Sequence, residues 1–294
     1  MAGLVDRLLG LDRRWLFLLV FLGVAIPIIR PMGLPVTTTA STRAAYEYIE
    51  GLKPGDVVWL SFDYGPSSAP ENDPMAEGFM RHCFLKKVRV VVSALYPLGG
   101  LGLANNSLAK VAAEFPNLKY GDDYVNLGYK DGAAAVMRRL GQDIVGVFPT
   151  DVRGTPISQF PILREVHSIR DVKVAFTAAT GLIGEYWITQ VHQQSGTPVI
   201  IGPTAVSAPK YYAYLNAGQL VGMLGGMKGA AEYEKLLAAR YPELGQFYKS
   251  TRGFTATKGM DGQTVIHAVM LLFILLGNIA YMRLRAAQKR KASA

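Results

Sequence analysis

The chain holds a single cysteine, Cys83, in 294 residues. One thiol excludes an intramolecular disulfide and any multi-cysteine zinc site, and so gives no information on redox compartment. Catalytic signatures are missing as well. There is no G-x-S-x-G elbow and no GKS or GKT phosphate loop. The run Gly100-Leu-Gly102-Leu-Ala-Asn105 opens like a dinucleotide fingerprint, but it has Asn where the third Gly or Ala belongs and no suitably placed acidic residue follows. No cofactor is therefore expected. The four histidines, His82, His167, His192 and His267, show no paired spacing of the kind metal ligands use, so no metal site is expected either. His82 and His192 read as surface or satisfied core residues.

Charge is also scarce. Only 18% of the residues are charged and 50% are hydrophobic, where soluble domains carry about a quarter charged. The excess apolar content lies at the two ends. Trp15 to Ile29 and Thr264 to Met282 contain no Asp, Glu, Lys or Arg. A helix needs roughly 20 residues to cross about 30 Å of hydrocarbon. The second stretch nearly suffices by itself, and the first can extend over Leu8 to Leu11 with Arg14 and Arg30 reaching toward headgroups. A cleaved signal peptide competes for the first stretch because Arg13 and Arg14 precede its apolar core. No small-x-small site follows closely, the nearest being around Thr38 to Ala40, so an uncleaved anchor is expected.

The net charge of +9 suggests nucleic acid until the charges are located. Outside residues 32–262 lie nine basic residues against Asp6 and Asp12 alone, so the flanks carry +7 and the middle +2. No nucleic-acid partner is expected. Basic residues beside membrane spans stay cytoplasmic. Three precede the first span and five follow the second, which places both termini in the cytoplasm and the middle domain outside a cytoplasmic membrane. Arg30 weighs slightly against this. The tail after Met282 is basic enough to touch anionic headgroups.

Residues 31–43 are rich in Pro, Thr and Ser and read as a linker. After it, apolar runs at 56–62, 88–95, 123–129, 172–178 and 197–203 alternate with helix-like segments Pro74 to Lys86, Asn106 to Glu114, Gly132 to Leu140 and Gly184 to Gln194. Runs apolar on both faces suit parallel strands covered by helices on each side. The expected fold is an α/β, Rossmann-like three-layer sandwich with a mainly parallel sheet, flanked by an N-terminal and a C-terminal transmembrane helix. Residues 145–171 read as an extra edge strand or an excursion over the sheet. The expected divisions are 1–31 for the tail and first span, 32–50 for the lead-in and 51–210 for the α/β domain. A Gly-rich return to the membrane, 211–262, and the second span with its tail, 263–294, complete the chain.

Gly218, Gly222 and Gly226 stand four apart, with Gly225 and Gly229 beside them. Small residues at that spacing line one helix face and let a partner backbone approach, so the segment is expected to aid association with a second copy or another membrane protein. A glycine loop leading into a helix near Ala230 is the plainer alternative. A third span is disfavoured by Asn216, Gln219 and Lys228.

Ligands of open α/β sheets bind beyond the carboxyl ends of the strands. Those ends here carry Asp63, Tyr64, Ser93, Thr180 and Thr204, the candidate ligand-binding residues, with Tyr96, Thr177 and Ser207 nearby. Asp63 equally suits a cap on the next helix. The helix start at Thr180 to Gly184 is a weak anion site, since Glu185 competes for its dipole. No nucleophile-base constellation is present, so the expected function is a noncatalytic, membrane-anchored α/β domain that binds a partner or small ligand. The alternative is a membrane-tethered hydrolase or transferase using Asp63 with hydroxyls from Ser93, Thr180 or Thr204. A structural subunit, whose crevice is filled by its own side chains, is the third class.

Overall fold

Valine-rich runs without polar alternation cannot leave one face in water, and they become the strands of a sheet buried on both sides. These are β1 (Val57–Asp63), β2 (Arg89–Ala94), β3 (Tyr124–Tyr129), β4 (Ala175–Ala179) and β5 (Val199–Pro203), all five expected from the sequence. A sixth, β6, is only Gly222–Met223. Every pairing is parallel and the order is β3-β2-β1-β4-β5-β6, a Rossmann-like arrangement with its switch point between β1 and β4. The computed structural model describes residues 12–30, 32–244 and 254–292, which fall into two compact units, Pro35–Thr257 and Met1–Leu34 with Lys258–Ala294.

Helices of the α/β unit are α2 (Ala40–Glu50), α3 (Ala69–Leu85), α4 (Gly100–Ala112), α5 (Ala133–Leu140), α6 (residues 183–195), α7 (Ala208–Asn216) and α8 (Gly226–Arg240). α3 begins five residues before the expected Pro74, because Pro70 already occupies the first turn, where a missing N–H costs nothing. α4 likewise starts at Gly100 rather than Asn106, so the glycines resembling a fingerprint lie inside its first turn. The strand period of two divides β1 between the layers. Trp59 joins Val91, Met137, Trp187, Ile188 and Tyr211 in one core cluster under α5, α6 and α7. On the opposite face α3, α4 and α8 cover the sheet.

Residues 145–171 form an excursion and add no strand to the sheet. Three 3-10 turns follow the one-turn helix Ile144–Val147, and Pro149, Pro156 and Pro161 withhold the donors a ladder needs. Its apolar side chains, among them Phe148, Ile157, Ile162 and Ile169, are buried in the same cluster as Trp59.

The glycine ridge is corrected by the structure. The spacing of four does not run along one helix face, because α7, β6 and α8 each take part of the segment. Gly218 turns the chain with φ +71, Gly222 lies in β6, Gly225 precedes α8 and Gly226 starts it with φ +62. Close approach does occur, but within the α/β unit. A Cβ on Gly222 would stand 2.5 Å from the Ala45 nitrogen of α2, and one on Gly229 would stand 2.5 Å from the Leu224 carbonyl carbon.

In the other unit, α1 (Arg13–Ile29) is an apolar helix of 17 residues, about 25 Å long at 1.5 Å per residue. Leu8 to Leu11, expected to lengthen it, lie outside the described residues. The last helix, α9 (Thr255–Ala292), contains the stretch Thr255–Arg283, which is long and apolar enough to cross a membrane and of which the most apolar window is only 6% buried. Such exposure separates it from the core helix of a soluble protein. Among the described residues it is the one helix that meets this measure. The Asp261 carboxylate of α9 accepts the backbone N–H groups of Met32, Gly33 and Leu34 at 2.8–2.9 Å. Three successive amides converging on one anion form a nest, which pins the exit of α1 to α9.

Candidate functional site

Asp63 ends β1 at the switch point, where an open crevice was one expectation and a helix cap the other. The side chain does neither. It is fully buried and turned back under the sheet, since its position shares the face of Trp59 and Ser61. One carboxylate oxygen accepts from the Ser61 hydroxyl at 2.8 Å and the Leu95 N–H at 3.0 Å. The other accepts from the Thr177 hydroxyl at 2.7 Å and the Trp187 indole N–H at 2.6 Å. Trp187 arrives from α6, where residues Trp187–His192 wind as a π-helix. Its fully buried indole occupies the switch-point side of the sheet.

The network continues sideways because register places Ser61 beside Ser93 on β2 and Thr177 on β4. The Ser93 hydroxyl accepts from the Trp59 indole at 2.8 Å and lies 3.3 Å from Ser61 Oγ. Six polar side chains and one backbone amide thus satisfy one another without solvent. Burial pushes the Asp63 carboxyl up to about 6, against the four hydrogen bonds that favour its anion.

The other candidates do not converge on it. Tyr64 points to the opposite face, fully buried, and its hydroxyl donates to Asp73 of α3. The Thr204 hydroxyl donates to Ser207 Oγ at 3.2 Å in the turn before α7. Thr180 is half-buried, and its N–H donates to the Asp63 carbonyl at 3.0 Å. Asp63 and Ser93 are therefore the pair that the fold brings together, through Ser61. Sequence reasoning missed Ser61 and Trp187. Alternation along β1 was enough to find Ser61, whereas nothing local signals Trp187.

His82 is a satisfied core residue, as its sequence position suggested. It is fully buried, its Nδ1 lies 2.6 Å from the Tyr233 hydroxyl and its Nε2 3.2 Å from Glu50 Oε1. Burial outweighs the Glu50 carboxylate and holds the imidazole down at about 4. Glu50 also accepts from Tyr46 and Tyr241, and these bonds overcome desolvation to keep it at about 2. The cluster ties α2, α3 and α8 together. Among the described residues no group of acidic, histidine or cysteine side chains could hold a metal ion.

An open concavity lies elsewhere, along the outer edge of β3. It encloses about 460 Å³ between α4 and the excursion and is lined by Asn105, Leu108, Ala112, Tyr120, Asn126 and Arg153, among others. The β3 edge beneath it is already paired. Gly121 N–H binds the Tyr124 carbonyl, Tyr120 OH meets the Asn126 amide, Val152 N–H binds the Asn126 carbonyl and the Asn126 side chain accepts from Gly128. A covered edge of this kind cannot accept another strand. Asp151 organises the loop above by accepting from Tyr120 OH and from the N–H groups of Arg153 and Thr155. The Arg153 guanidinium lies 3.6 Å over the Tyr120 ring. Asn126 donates to Asn105 Oδ1 at 2.8 Å. None of these groove residues was a sequence candidate.

No protein-family model matches the chain, and no curated protein is significantly similar to it.

Proposed function

We propose that the protein is a noncatalytic, membrane-anchored α/β domain that binds a small ligand in the groove beside β3. The observation that carries this reading is the contrast between the two places where a ligand could sit. A general acid or base must come within hydrogen-bond reach of a substrate or water. Asp63 is enclosed, and all of its hydrogen bonds run to the protein. The alternative of a hydrolase using Asp63 with Ser93, Thr180 or Thr204 loses its support, because those hydroxyls are divided between separate surroundings. The groove is open and lined by apolar side chains with a few polar groups among them, the composition of small-molecule sites.

The anchor is proposed to be a pair of spans, α9 and the shorter α1, in a cytoplasmic membrane, with both termini cytoplasmic and the α/β domain on the other side. Large apolar side chains support it on both helices, including Phe17, Phe21, Leu271 and Leu275, each more than 60% exposed or close to it. The distribution of basic residues supports the orientation. The bilayer is then the first partner. Other membrane proteins or a second copy stay as proposed partners without the glycine ridge as their motive.

Filling the groove tests the reading. The exposed Ala109 lines it from α4, so Ala109→Trp is expected to remove a small molecule that co-purifies with the full chain and is detected by native mass spectrometry, with the unfolding midpoint unchanged. Retention of that molecule by the variant, or the absence of any bound small molecule after mild detergent extraction, counts against the groove.

A further inference from the structure

The groove beside β3 has a chemistry that narrows its ligand, and the geometry points to a small organic monoanion, a carboxylate carried on an apolar body. This rests on the reading of the groove as the binding site. Among its lining residues Arg153 is the single charged side chain. Its guanidinium has no acidic partner among the described residues and lies over the Tyr120 ring. Asp151 holds both the Arg153 backbone amide and the Tyr120 hydroxyl, which brings the two residues side by side. An unpaired guanidinium on an aromatic face leaves its edge N–H groups free to form the two-pronged bond that suits a carboxylate.

A second donor lines the same groove. Asn105 spends its carbonyl oxygen on Asn126, which leaves its exposed NH₂ group turned away from that bond and able to donate to an anion. Leu108, Ala109, Ala112, Ala113 and Tyr124 add small and apolar side chains to the same lining. The volume of about 460 Å³ falls within the usual range for small-molecule sites.

Other ligand classes fit less well. A cation would meet Arg153 with no carboxylate in the lining. An extended peptide has no free strand edge to join. A phosphate dianion would need more positive charge than one guanidinium, and the groove runs along the middle and the carboxyl-terminal part of α4, away from the amide donors at its Gly100 end.

The test uses the full chain in detergent and saturation-transfer NMR with benzoate, phenylacetate and 3-phenylpropionate, each beside its amide, and with phenyl phosphate. The carboxylates are expected to bind, with their amides and phenyl phosphate weaker by about tenfold or more, as charge-assisted bonds imply. Arg153→Gln should weaken the carboxylates by a similar factor, and Arg153→Lys should restore part of it. Equal binding of amides, preference for phenyl phosphate, indifference to Arg153→Gln, or no carboxylate binding at millimolar concentration overturns the assignment. Ala109→Trp separates the two levels of the argument. If it abolishes probe binding that Arg153→Gln leaves intact, the groove stands and the anion falls; if probe binding survives it, the groove itself is wrong.

Discussion

Asp63→Asn is expected to destabilise the protein by about 3 kcal/mol or more, although the two side chains have the same shape. Each carboxylate oxygen faces one donor that can never accept, Leu95 N–H on one side and Trp187 Nε1–H on the other. Asparagine has one oxygen and one NH₂ group, so in either orientation the NH₂ meets a buried N–H. Leaving such a donor unsatisfied costs about 1–3 kcal/mol, and the opposed NH₂ adds its own loss. Asp63→Ala should cost as much again through the cavity and the four orphaned donors.

The same variant isolates a pH effect. The folded Asp63 carboxyl titrates at about 6 rather than at its ordinary 3.8. Between these values the folded chain holds a proton that the unfolded chain has released, so this group stabilises the fold at acid pH and that contribution is lost as pH rises through about 6. The gap between the parent protein and Asp63→Asn should therefore widen as pH falls from 7 to 4, by up to about 3 kcal/mol. His82 acts in the opposite sense over part of this window, because its folded value is lowered from 6.5 to about 4. Glu234, raised to about 7 by burial, acts with Asp63. Both remain in the variant, so only the difference between the two proteins reports Asp63. Chemical denaturation in detergent across pH 4–7 measures it. A gap that stays constant would show that Asp63 is ionised throughout.

Gly222→Ala is the second large effect. If the glycines formed a helical ridge facing a partner, alanine would raise helix propensity by about 1 kcal/mol and any loss would fall on assembly. In β6 the new Cβ lands 2.5 Å from the nitrogen and 2.6 Å from the Cα of Ala45. Those are backbone atoms of α2, which cannot yield without moving the helix. Overpacking of this kind costs about 1–3 kcal/mol, and Gly222→Leu should exceed it. Gly218→Ala meets open space and only the strain of φ +71, about 1–2 kcal/mol. Thermal unfolding beside gel filtration should then give a fall in stability for Gly222→Ala with unchanged oligomeric state. Intact stability with a lost complex would restore the ridge.

Much of the sheet was legible because burial on both faces writes itself as uninterrupted apolar runs, as in Val57 to Leu60 or Val90 to Val92. β6 was not legible, since Gly222 and Met223 leave a pattern of only two residues and owe their pairing to β5. The helices starting at Ala69 and Gly100 begin five or six residues before the starts the pattern predicts, because proline and glycine resemble loop formers there. Asp63 was found by its place at a strand end, but its direction depends on Trp187, 124 residues further on. The groove depends on Tyr120 meeting Asp151, 31 residues apart and within irregular chain. Contacts of that span leave no period in the sequence.

The arrangement in the membrane is the central claim, and one measurement addresses it most directly. A reporter enzyme active only outside the cytoplasm is placed after Ala294 and, separately, within the exposed turn at Gly154, where the structure leaves open space. The account predicts silence at Ala294 and activity at Gly154. Activity at Ala294, or silence at Gly154 in a stably expressed fusion, would contradict it.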